Sequence, residues 1–135
     1  MAPHEIFYSL HDGLKTLGYE VITGEVPGNS KTPFVYLELN GKENLKYVAG
    51  GYATLAKVKF EVSCFVDAPK SAEVLALVKS ADEFSGKALD DLKRMFGACL
   101  EIENETGFGE IGVGANNYYV TTTKVNVFYS PINEG

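Results

Sequence analysis

The sequence predicts an α+β domain in which helices pack on one face of a mostly antiparallel sheet, in the order α-β-β-β-α-β-β. Three observations predict it. Apolar residues recur at helical spacing near the N terminus and again after residue 71, residues 57–66 follow a period-two pattern, and residues 118–129 are rich in Tyr, Val and Thr. The chain has 135 residues, 45% of them hydrophobic and 22% charged, which suits one core and a fully folding chain, so 1–135 is read as a single domain.

The first helix is expected over residues 4–17. Ile6, Phe7, Leu10, Leu14 and Leu17 share one face, Pro3 suits a first turn, and Gly18 suits a C-terminal cap. A strand at 19–23 follows, then turn formers at 27–30 and a second strand at 34–39. Residues 40–51 hold Gly41, Asn44, Gly50 and Gly51 among Lys42, Glu43 and Lys46, a mixture expected to form a flexible loop. The third strand is the clearest element, with Val58, Phe60, Val62, Cys64 and Val66 on one face and Lys57, Lys59, Glu61, Ser63 and Phe65 on the other.

Asp67, Ala68 and Pro69 end that strand, and Ser71 is the expected cap of a helix carrying Val74, Leu75, Val78 and Ala81. The pattern falters at Ser85 and Gly86 and resumes with Ala88, Leu89, Leu92, Met95 and Phe96, so a kinked helix or two helices broken at Gly86 are both open. A strand at 98–103, a second glycine-rich flexible loop at 105–117 and a long strand at 118–129 complete the order, with a free tail at 133–135.

Composition restricts function. A net charge of −6 with a single arginine, Arg94, disfavours tight or sequence-specific DNA binding, which needs cations to neutralise phosphates; at most a transient contact with passing DNA is expected. No apolar run approaches the roughly 18 residues of a membrane span, and the N terminus carries no secretory pattern, so no membrane partner and a cytoplasmic site of synthesis and folding are expected. In that reducing setting Cys64 and Cys99, without CxxC spacing, read as buried small hydrophobes.

No constellation of residues carries chemistry, so no catalytic residue, cofactor or metal is expected and the chain is not read as an enzyme. Gly107 to Gly112 spell GxGxxG, but a β-rich run follows where a phosphate-binding helix would have to begin. His4 and His11 share a helix face roughly 10 Å apart, too far for one metal, and the positions four residues on are Tyr8 and Lys15. Asp90 with Asp91, and Glu101, Glu103 and Glu105, are carboxylate pairs of the kind that run acid and base chemistry, yet Glu101 and Glu103 alternate with Leu100 and Ile102 as a solvated strand face does. Asn104, Glu105 and Thr106 fit a glycosylation sequon that secretion alone would give meaning.

Distribution is the informative feature. Phe65 opposes the row from Val58 to Val66, and Tyr118 and Phe128 oppose Val125, Val127 and Tyr129, so the sheet's second face keeps aromatics. Together with the two glycine-rich segments this points to protein contacts, with Lys42, Tyr47, Tyr52, Phe65, Phe108, Ile111 and Tyr118 as the candidate interface.

The opening helix ending in Leu17, Gly18 and Tyr19, the Pro33 to Leu37 strand, the third strand running into Asp67-Ala68-Pro69-Lys70-Ser71 and a helix, and the closing β segment together resemble the tail terminator or tail-completion (head-to-tail joining) proteins of long-tailed bacteriophages. The resemblance spans nearly the whole chain and rests on size, element order and hydrophobic pattern. It implies a homo-oligomeric ring, six subunits being the expected number, in the tail or neck of a virion assembled in the host cytoplasm. Its partners would be the tail tube protein and the head connector proteins. Another phage neck or minor capsid protein, or a module binding a small ligand or peptide, are the alternatives.

Overall fold

The computed structural model describes residues 2–26, 30–47, 51 and 53–131. Helix α1 (Pro3–Thr16) comes first, and Glu5 on its first turn accepts a 2.9 Å hydrogen bond from the Ala2 N–H, satisfying a donor the helix itself leaves free. Then come β1 (Val21–Ile22), β2 (Phe34–Tyr47), β3 (Ala53–Asp67), α2 (Val74–Phe96), a short 3-10 turn at Gly97–Cys99, β4 (Leu100–Val113) and β5 (Asn116–Tyr129). The α+β class and the predicted element order both hold. The five strands form one sheet in the order β1-β2-β3-β5-β4; β1 pairs parallel with β2 and every other pair is antiparallel.

Pairing register separates the two faces. Val35, Leu37, Val58, Phe60, Val62, Cys64, Val125 and Val127 point to one side, where Ile6, Leu10 and Leu14 of α1 and Ala88 and Leu92 of α2 complete the main core. Phe7 of α1 stacks on Phe60 at 6.1 Å, so both helices lie on this face. A second cluster on the same face joins Val66, Ala68 and Tyr119 to Leu77 and Ala81 of α2.

Several boundaries differ from those expected. The expected flexible loop at 40–51 is strand through Tyr47, because β2 pairs with β3 from Phe34↔Phe65 as far as Tyr47↔Ala53. Gly41 and Asn44 flank bulges, with register shifts between Leu39 and Gly41 and between Asn44 and Lys46, so long-range pairing absorbs the local preference for a turn. The loop expected at 105–117 is likewise strand on both sides of a two-residue turn at Gly114 and Ala115. Gly114 takes φ 62° while among the described residues no non-glycine residue has positive φ, as a tight type II′ hairpin requires. The expected strand at 98–103 starts at Leu100, and the expected tail at 133–135 lies outside the described residues.

Helix α2 runs unbroken through Gly86, and its buried stripe is Leu77, Ala81, Ser85, Ala88 and Leu92. The small residues Ala81, Ser85 and Ala88 let the helix approach the sheet, which is why the apolar pattern faltered without breaking the helix. Its N-cap is Glu73 and not Ser71, and Val74 and Leu75 are 60% and 81% exposed, so they are not part of the core stripe. A Cβ at Gly86 would meet nothing within 4 Å. Gly86→Ala is therefore expected to stabilise the fold by about 0.5–1 kcal/mol through reduced unfolded-state entropy, read by urea denaturation. A loss of stability would show that this turn needs glycine.

Candidate functional site

Register also staggers the sheet. Gly109, Val120, Phe65 and Phe34 form one row across all four long strands. On one side of that row the β4–β5 hairpin continues past the first residue of β2. On the other side the β2–β3 hairpin continues past Tyr129, the last residue of β5, which pairs with Ala56. The sheet thus ends in two arms at diagonally opposite corners.

The candidate interface residues divide on this frame. Tyr47 is 61% exposed on the β2–β3 arm, and Lys42 at its base holds its ammonium 5.8 Å from the centre of the Tyr129 ring. Phe108 and Ile111 are both 45% exposed on β4, Phe108 on the helix side near Tyr119 and Ile111 on the opposite side. Tyr52 lies outside the described residues.

Phe65 and Tyr118, by contrast, are not surface. They are 4% and 1% exposed and form a third core cluster with Phe34 on the face away from the helices, against Ile22, Val26, Tyr36, Val113 and Val120. Ile22 and Val26 come from β1 and the segment after it, and the Tyr36 hydroxyl donates to the Gly24 carbonyl, so residues 23–26 are tied down beside these rings. A covering from a segment with so few apolar residues leaves no periodic signal in the sequence. The exposed Leu45 on the β2–β3 arm, absent from the sequence-based set, belongs with the exposed residues.

The middle of the same face is polar. Asn40, Lys57, Lys59, Lys124, Glu101, Glu103 and Asn126 line a shallow hollow. Asn126, 2% exposed, donates through Nδ2 to Glu101 Oε1 at 2.9 Å and to Glu103 Oε2 at 3.2 Å. Glu43 meets Lys59 at 3.1 Å and Lys57 at 3.8 Å, and the hydrogen bond from Lys59, followed by the two ammonium charges, holds its carboxyl below the ordinary range. Glu101 and Glu103 are thus engaged with an amide donor, as structural strand residues are.

On the helix side a cleft of about 360 Å³ lies among Leu17, Gly18, Tyr19, Lys31, Pro33, Phe84 and Lys87. The Tyr19 hydroxyl donates to Asp91, and Lys87 stands 5.3 Å from the centre of its ring. Burial, then the Asp91 hydrogen bond and charge, push the Tyr19 hydroxyl well above its usual range.

No protein-family model matches the chain, and no curated protein sequence matches it either. The functional reading therefore rests on this geometry and on the residues themselves. Among the described residues no group of three or more His, Cys, Asp or Glu is placed to hold a metal ion. His11 meets its neighbour Asp12 at 2.9 Å, and the GxGxxG letters lie within strand β4, where Gly107, Gly109 and Gly112 pair with Thr122, Val120 and Asn117. That segment is strand, neither a flexible loop nor a phosphate cradle.

The two cysteines differ from each other. Cys64 is buried as expected, whereas Cys99, expected to be buried, is exposed in the 3-10 turn before β4. Burial pushes the Cys64 thiol up to about 11, with the neighbouring Thr121 and Ser85 side chains acting in the opposite direction. A raised folded value favours the neutral thiol, so its contribution is intact below 9.0, the ordinary value, and is lost as pH rises through about 11. On the order of 2 kcal/mol of alkaline destabilisation is expected from this group, and Cys64→Ala should remove that part of the slope in pH-resolved urea melts. Tyr19 and Tyr36, both raised chiefly by burial, supply a further alkaline loss that the variant should retain.

Proposed function

We propose that this chain is a structural assembly subunit of the phage tail-terminator kind, forming a ring that caps a finished tail tube and joins it to the head connector. The observation that carries the reading is the open, staggered sheet: its two projecting corners keep Tyr47 and Ile111 exposed, with the exposed Phe108 beside the second of them on β4, as a subunit that grips neighbours needs. The element order supports it, since that order and the strand leading into Asp67-Ala68-Pro69-Lys70-Ser71 are what the family resemblance consists of. A closed ring arises whenever a repeated heterologous contact rotates back on itself. The net charge of −6 fits a channel through which DNA slides without sticking, because weak attraction to phosphate favours passage.

The test is negative-stain microscopy and light scattering of the purified chain with and without tail tubes. Capped tube ends support the reading. A chain that leaves every tube end bare, at concentrations where it is folded, rejects it.

The helix-side cleft favours a second reading, a small-ligand or peptide module, because it combines the Tyr19 and Phe84 rings with the Lys31 and Lys87 ammonium groups. Thermal shifts across a panel of small anions and acidic peptides would separate the two.

A further inference from the structure

We propose that the two corners are the two halves of one contact between copies of this chain, with the β2–β3 arm of one copy lying along the outer edge of β4 in the next. The inference rests on the assembly reading and adds the surfaces and the chemistry that hold neighbours together.

Both edges are open. Strand β1 covers β2 only at Val35 and Tyr36, so among the described residues no strand lies outside β2 from Leu37 to Tyr47, and β4 is the last strand of the sheet. A strand edge presents unpaired N–H and C=O groups, and pairing them with another strand is the ordinary way to satisfy them.

The outer end of the β2–β3 hairpin and the β4 edge carry opposite net charge. Strand β4 holds Glu101, Glu103, Glu105 and Glu110 with no Lys or Arg. Counted outward from the Gly41↔Lys59 pair, the arm together with its base holds Lys42, Lys46, Lys57 and Lys59 against Glu43, while Glu38 lies on β2 inside that pair. Each also offers apolar surface: Leu45 and Tyr47, 36% and 61% exposed, face the partner's Phe108 and Ile111, each 45% exposed.

Charge and placement together select the mode of contact. Two β4 edges set against each other would align glutamates with glutamates, and two β2–β3 arms would align lysines with lysines, so both symmetric pairings are repulsive. Only arm against edge joins unlike charges. Because the arm and the β4–β5 tip occupy opposite corners of the sheet, that contact leaves a free arm and a free edge on every pair, and it repeats from copy to copy.

The experiment compares the wild-type chain with two double reversals, Lys42→Glu with Lys46→Glu, and Glu105→Lys with Glu110→Lys, by sedimentation and light scattering over a concentration series up to millimolar. Wild type is expected to assemble, less readily as salt increases, and each reversal to raise the concentration needed at least about tenfold. An equal mixture of the two variants is expected to assemble as wild type does, since the reversed edge of one meets the reversed arm of the other. Thermal melts establish that each variant is folded. Should one not be, carbodiimide cross-linking of wild type decides, with the first links between copies expected to join Lys42 or Lys46 to Glu105 or Glu110.

A wild type that is strictly monomeric at millimolar concentration overturns the proposal. So do folded reversals that assemble like wild type, a mixture that does not recover, or cross-links elsewhere. Tube capping by folded reversals that still self-associate as wild type does would retain the tail reading and reject this contact, whereas edge-dependent assembly by a chain that ignores tubes would do the opposite.

Discussion

Phe34→Ala is expected to cost about 3–5 kcal/mol, a large fraction of what holds a domain of this size folded. Phe34 is wholly buried, stacks on Phe65 at 4.5 Å between ring centres, and meets Tyr118 edge-on at 5.6 Å. Removing its ring leaves Phe65 and Tyr118, themselves 5.6 Å apart, facing a void that the paired backbones of β2, β3 and β5 prevent from closing. The loss should appear in guanidinium denaturation as a lower midpoint with unchanged slope, and as a fall in Tm of roughly 10–20 °C. Phe65→Ala should behave alike. If either variant kept its stability within about 1 kcal/mol while losing self-association, the cluster would be an interface and not a core.

That expectation also marks where the sequence was misleading. Period-two alternation correctly put Phe65 opposite the Val58-to-Val66 row and Tyr118 opposite Val125 and Val127. An aromatic on the face away from the helices then looked like surface, because nothing periodic was available to cover it. Val26 and Ile22 do so from a connection whose own pattern carries no such information. The arms were misread for a related reason. Gly41, Asn44 and Gly107 each favour a turn, yet cross-strand pairing over long stretches of β2–β3 and β4–β5 outweighs preferences of about 1 kcal/mol or less per residue. The helices, with their stripes of Leu10 and Leu14 and of Ala88 and Leu92, and strand β3 were legible because each repeats one period over many residues. The exposed candidates Tyr47, Phe108 and Ile111 were legible by residue type alone; their separation onto opposite corners depends on a register that only the pairing reveals.

The hollow on the polar face yields the second large effect. Asn126→Asp is expected to destabilise the fold by about 3 kcal/mol at neutral pH. Carboxylates only accept hydrogen bonds, so the amide nitrogen of Asn126 must face Glu101 and Glu103, and its two bonds at 2.9 and 3.2 Å occupy both of its donors. Aspartate has nearly the same shape but no donor, and it sets a third carboxylate against two others at a position 2% exposed. Lys59 and Lys124 line the same hollow and soften the repulsion without replacing the lost bonds. Burial and like charge would raise the folded pKa of the introduced carboxyl, so the deficit should be small in acid and grow as pH rises through that folded value. Asn126→Ala is the control: it removes the donors and adds no charge, leaving Glu101 and Glu103 to water, for a cost of about 1–2 kcal/mol with no such pH dependence. The difference between the two variants, followed by urea melts from acid to neutral pH, isolates the charge. A flat difference would mean that the three side chains do not converge on one another.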